Sequence, residues 1–162
     1  MTAFYRDQAG SLALVTILLL PLLVVVTVGV LELGMARLVA ERARLAADLA
    51  TVVAVNDQDT AELARSGSLR LSADAASVAR QHLALNLAPL ADRLARSPDQ
   101  IATSADVAVF PSGGGLDPRT GERYEGPTVR IELELPVRTP AFGVLLSRPV
   151  TGVRILSASS AR

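Results

Sequence analysis

The chain has no cysteine, no lysine, no tryptophan and a single histidine among its 162 residues. Without cysteine there can be no disulfide, no thiolate metal site and no cysteine nucleophile, and either redox compartment is tolerated. Every basic side chain except His82 is arginine, which reads as the codon bias of a GC-rich genome rather than as phosphate recognition. Formal net charge is zero, so no global field draws the chain toward nucleic acid. Aromatics are confined to Phe4, Tyr5, Phe110, Tyr124 and Phe142. A core of alanine, valine and leucine buries little area per residue. The expected result is modest stability alone, as suits a subunit that gains stability from neighbours.

Catalytic groupings are missing as well. His82, in Arg80-Gln81-His82-Leu83, has no second histidine to complete a metal site, and no HExxH or CxxC occurs. The glycines 113–115 lack the Lys-Ser/Thr of a phosphate loop and precede no helix, so they read as a flexible hairpin tip. No serine stands in a Gly-x-Ser-x-Gly setting. Glu132 and Glu134 share one strand face and, with Arg130 and Arg138, read as a solvated face rather than a catalytic carboxylate pair. No catalytic, cofactor-binding or metal-binding residue is expected, and neither is a small-molecule substrate.

What the chain does have is one uncharged apolar run, residues 11–31, closed by Glu32. About 20 residues of helix cross a bilayer's hydrocarbon core, and this run is that long. It exceeds the 7–15 residues of a signal-peptide core. A small-x-small tripeptide, Gly34-Met35-Ala36, follows Glu32 on a continuing helix, so an uncleaved single-pass anchor is expected. Pro21 lies inside the run, where membrane helices tolerate proline with a local kink.

The helical period continues past the run through Met35, Leu38, Leu45, Leu49, Val52 and Val53, and Asn56-Asp57-Gln58-Asp59 ends it. One helix over about 11–55, roughly 65 Å long, is predicted, half in lipid and half a projecting amphipathic stem. Met35, Leu38, Leu45, Leu49 and Val52 are expected to pack that stem against a sheet or a partner helix. After a linker at Arg65-Ser66-Gly67-Ser68, a second helix opens with Ser72 as N-cap and ends near Leu94, kinked or split at Pro89.

The last third alternates polar and apolar residues. Thr128 to Leu135 reads as a strand with Val129, Ile131, Leu133 and Leu135 inward, joined by a long hairpin connection to an earlier strand at 105–110. A third strand is expected at 150–158, with Val153 and Ile155 on one face. The predicted class is α+β: a long membrane and stem helix, a second helix, and a small antiparallel sheet of about three strands. Division follows as a 1–10 leader, an 11–31 span, a 32–55 stem and a 56–162 domain. Glu32 has two readings, a headgroup-level carboxylate that stops the span or a polar contact with a neighbouring helix. Gly29 and Gly34 could let another helix approach, although their spacing is not Gly-x-x-x-Gly.

Gly10-Ser11-Leu12-Ala13-Leu14-Val15, the proline-containing apolar run, Val30-Leu31-Glu32-Leu33-Gly34 and the alanine-rich Ala40 to Ala50 together resemble the TadE/TadG-like family. Its members are pseudopilin-like components of tight-adherence (Flp) pilus systems. The resemblance covers roughly residues 6–55, with a less specific likeness over Val153 to Ala161. It implies a structural pilus-assembly or secretion subunit in the inner membrane. The leader would be cytoplasmic, the sheet domain extracytoplasmic, and the partners other pilin-like subunits or assembly proteins. Processed members are cleaved after a glycine that has glutamate fifth after it. Mapped here, cleavage would fall between Gly10 and Ser11, but the fifth residue is Val15, so the resemblance leaves both a processed subunit and an unprocessed anchor open. Arg6 precedes the span while Arg37, Arg42 and Arg44 follow it, which by the positive-inside count alone would put the domain in the cytoplasm. The family resemblance requires the reverse, and that orientation is the one expected. The rival reading is a generic membrane-anchored binding module, with its partner site on the strand surface or the 111–127 loop.

Overall fold

Leucine, alanine and valine dominate the first third of the chain, and no residue after Pro21 interrupts a helix until Asn56. A computed structural model describes residues 2–147 and 149–161, with side chains from Ala13 onward apart from those of Leu145 and Leu146. In it one helix, α1, runs Thr2–Asn56 and passes Pro21 unbroken. At 1.5 Å per residue it is about 80 Å long. It starts earlier than the expected residue 11, because nothing in the leader stops a helix.

Short helices follow. Helix α2 (Thr60–Ser66) is capped by Asp59, whose carboxylate accepts from the amides of Ala61 and Glu62 at 3.1 and 3.0 Å, and it ends at Gly67 with φ +68°. The segment read as a linker is therefore a helix end. Helix α3 (Ala75–Leu87) passes into a 3-10 turn at Ala88–Arg93, where Pro89 removes a donor and divides the expected second helix. Asp74, not Ser72, stands at its cap; the Ser72 hydroxyl accepts from the Asp74 amide instead. Helix α4 (Pro98–Ser104) opens with a reciprocal capping box between Ser97 and Gln100 and proline in its first turn.

The sheet is antiparallel, in the order β1 (Asp106–Phe110), β4 (Thr128–Arg138), β5 (Val150–Ser160). The class is α+β, as expected. Val107 pairs with Ile131, Leu133 with Ile155, and Leu135 with Val153. A two-stranded hairpin, β2 (Gly115–Leu116) with β3 (Arg123–Tyr124), is folded within the β1–β4 connection. The glycine triplet is built into it rather than left as a loose tip. A Cβ on Gly113 would lie 2.0 Å from the Glu125 carbonyl oxygen, and Gly114, at φ +87°, donates to the Tyr124 carbonyl at 2.7 Å. The β4–β5 connection carries a short apolar helix, α5 (Pro140–Leu146).

The stem half of α1 lies on the sheet with α3 beside it. Its buried positions are Val39, Ala43, Ala46, Ala47, Ala50, Thr51, Ala54 and Val55. They meet Ala75, Ala79, Leu83 and Leu87 of α3, and Val129, Ile131, Leu133, Leu135 and Val137 of β4. Of the two expected neighbours, sheet or partner helix, this removes the sheet. Met35, Leu38, Leu45, Leu49 and Val52 do not face the sheet; they are 41, 45, 61, 57 and 47 % exposed. The reason is volume. Alanine permits close approach of helix to helix and helix to sheet, and a leucine at the same positions would hold the layers apart. Thr51 marks the sheet contact. Its hydroxyl donates to the Asp48 carbonyl at 2.8 Å and lies 2.8 Å from the Ser159 hydroxyl.

Two substitutions on neighbouring positions separate the faces. Ala47→Leu, at a fully buried site, is expected to lower stability by roughly 1–3 kcal/mol through overpacking. Leu45→Ala, on the exposed side, should stay within about 0.5 kcal/mol of the native chain. Thermal unfolding of both variants in detergent checks the contrast.

Candidate functional site

The apolar run of α1 meets the folded domain at Glu32. Residues 140–146 form α5 beside it, and the first amides of a helix have no partner within the helix. Pro140 contributes no N–H, and the Thr139 side chain makes no capping bond. The Glu32 carboxylate completes the cap from a distance of more than a hundred residues. Its Oε1 accepts from the Ala141 amide at 2.8 Å and its Oε2 from the Phe142 amide at 2.7 Å. A carboxylate there is doubly favourable, since the bonds are charge-assisted and the helix N-terminus carries partial positive charge.

Gly29 and Gly34 lie five residues apart, so they point to different sides of α1. A Cβ on Gly29 would touch the Phe142 ring at 3.8 Å, so the neighbour it accommodates within the chain is α5. Gly34 meets nothing within 4 Å and opens outward. Gly10 and Ser11 fall on the backbone of α1, and their side chains lie outside those described. A groove of about 240 Å³ runs beside the junction, lined by Val28, Leu31 and Met35 and by Arg93 and Arg138.

Along the stem, Leu38, Leu45, Leu49 and Val52 recur at intervals of seven, four and three residues. That spacing places them on one side of the helix, away from α3 and the sheet. Glu41, Arg42 and Arg44, all exposed, lie around the stripe. Of the two neighbours expected for this stripe, the sheet is excluded and a partner helix stays open.

The second polar centre is on the far face of the sheet. Arg130 and Glu132 were read as solvated, yet they are only 3 and 7 % exposed, because the β1–β4 connection folds over them. Arg130 meets Asp117 at 2.8 Å, Asp106 at 3.2 Å and Glu132 at 3.3 Å. Arg119 bridges Asp106 at 2.8 Å and Glu132 at 2.9 Å, and Arg154 closes on Glu132. Three carboxylates and three guanidiniums thus compensate one another. Glu134, on the same strand face, remains exposed. Burial acts to raise the Asp117 pKa, but the Arg119 amide, the Thr120 hydroxyl and the Arg130 charge outweigh it and hold the carboxyl below its ordinary 3.8. The network is structural: it pins the long connection to the sheet. Among the described residues no cluster of histidine, cysteine, aspartate or glutamate is arranged to hold a metal ion.

Residues 10–57 match the Tad family model, described as "Putative Flp pilus-assembly TadE/G-like". The matched segment is α1 from Gly10 onward with the first residue beyond it, so this helix is TadE/G-like, as the resemblance in the sequence implied. No curated protein and no solved structure matches the chain.

Two outcomes test these centres. Replacing Glu32 removes an acceptor from two amides, at about 1–3 kcal/mol. Hydrogen exchange at Ala141 and Phe142 should therefore quicken in the order native, Glu32→Gln, Glu32→Leu, with roughly tenfold or more for leucine. At Asp117 the folded-state pKa is depressed, so its stabilisation is complete above the ordinary carboxylate pKa and is lost as pH falls through the lower folded value. Asp117→Asn should cost roughly 3 kcal/mol near neutrality by breaking a buried pair. The gap in Tm between variant and native chain should narrow below pH 3.8, as thermal melts across pH would record.

Proposed function

We propose, from a first helix that is TadE/G-like, that this chain is a membrane-anchored structural subunit of a tight-adherence (Flp) type pilus or a related secretion apparatus. It acts by helix packing rather than catalysis. Residues 11–31 hold it in the inner membrane, residues 1–10 are the cytoplasmic leader, and the stem from 32 to 55 carries an extracytoplasmic α+β domain, 56–162. The partners are other pilin-like subunits or pilus assembly proteins. Gly34 and the exposed leucines of the stem are where a neighbouring helix packs, while Glu32 and Gly29 set α5 against the anchor.

The observation that carries this reading is the leucine stripe on the stem. A helix that has satisfied its own domain with alanines retains large apolar side chains on its other side, directly continuous with the span. Exposed apolar surface arranged at helical spacing is a docking surface for another helix.

The decisive variant is Leu45→Asp combined with Leu49→Asp. Both positions are exposed, so the fold and membrane insertion should persist. Affinity purification from native membranes should recover pilus components at least tenfold less well, since each lost 1.4 kcal/mol is a factor of ten. Equal recovery would remove the stripe from the interface. Recovery of partners that include no pilus component would favour the accessory binding module instead.

A further inference from the structure

Helix α5 has no evident business in the domain's core. Pro140, Ala141, Phe142, Gly143 and Val144 run without charge, and Val144 is 87 % exposed, the most exposed large apolar residue among those described. A water-facing connection between two strands is ordinarily polar, so an apolar one needs an apolar neighbour.

Its position supplies that neighbour. The span of residues 11–31 is about 31 Å of helix, which leaves no slack against a hydrocarbon core of about 30 Å. Glu32, which clamps α5, is the first charged residue beyond the run. Phe142 packs at Gly29, about 3 Å toward the lipid side of Leu31. So α5 begins at the hydrocarbon boundary and its phenyl ring lies at or below it. Beside it, the groove is lined by Val28, Leu31 and Met35 together with Arg93 and Arg138. Both arginines are exposed and neither forms an ion pair among the described residues. Apolar side chains and guanidiniums lining one groove match the two chemistries of a phospholipid, acyl chain and phosphate.

We propose that α5 is a second, in-plane membrane contact: Phe142 and Val144 insert among phospholipids at the boundary of the span, and Arg93 and Arg138 meet the lipid phosphates. The Glu32 clamp satisfies the α5 amides that water cannot reach there. The domain thereby rests on the bilayer at a fixed depth and rotation instead of swinging above it. This inference rests on residues 11–31 spanning the membrane, and the test separates the two.

Because the chain has no cysteine, single cysteines report cleanly. Val144→Cys, Leu20→Cys and Leu116→Cys each replace an exposed side chain and leave the fold intact. The full chain, carrying an environment-sensitive fluorophore at one of these positions, is reconstituted into phosphatidylethanolamine–phosphatidylglycerol vesicles with or without brominated acyl chains. Quenching by brominated lipid at both 144 and 20, with none at 116, is the expected result. A probe at 144 that stays unquenched while 20 is quenched overturns the α5 contact and leaves the anchor standing. No quenching at either position overturns both. Arg93→Gln with Arg138→Gln should make quenching at 144 at least threefold weaker in phosphatidylglycerol vesicles, and an unchanged signal would remove the phosphate contact from the proposal.

Discussion

The close approach of the α1 stem to both α3 and the sheet is the constraint on which the rest of this fold depends. Ala43, Ala46, Ala47, Ala50 and Ala54 make it possible by presenting almost no side-chain volume. Each contributes little buried area, but together they let Leu83, Leu87, Ile131 and Leu135 pack close around the helix. One helix then carries two kinds of surface. Its first half displays apolar residues all around, and its second half turns an alanine face to the domain.

That division explains what the sequence disclosed and what it concealed. The long helix, the α+β class and the strands around Val107, Ile131 and Ile155 follow from hydrophobic period, which is strong where apolar residues are large. The packing face of the stem was concealed because large leucines outweigh alanines in any reading by hydrophobicity. Volume, not hydrophobicity, chose the buried side. The cue lay in the fourfold alanine spacing of the stem, matched by Ala75 and Ala79 on α3. Helix α4 had a legible start in Ser97-Pro98-Asp99-Gln100; α5 offered only Thr139-Pro140, and the cap that completes it comes from Glu32 at the other end of the chain.

The charged face of β4 was misread for a related reason. Alternation shows that Arg130, Glu132 and Glu134 share a face, but not what lies over that face. The β1–β4 connection covers Arg130 and Glu132 and stops short of Glu134. Its glycines and the Asp117 turn bring backbone close enough to exclude water, and the compensated charges then hold it in place. The polar centre of the domain is thus a fastening for a loop.

With residues 11–31 spanning the bilayer as proposed, the unbroken passage of α1 into the domain has a mechanical consequence. No flexible joint separates anchor from head, so the two move as a lever. Membrane helices tilt by about 20° on average. Over a stem of roughly 36 Å, that angle carries the far end about 12 Å sideways. Local bilayer thickness, through the tilt it imposes, would therefore steer where the head points, and neighbouring subunits in one membrane would inherit a common heading.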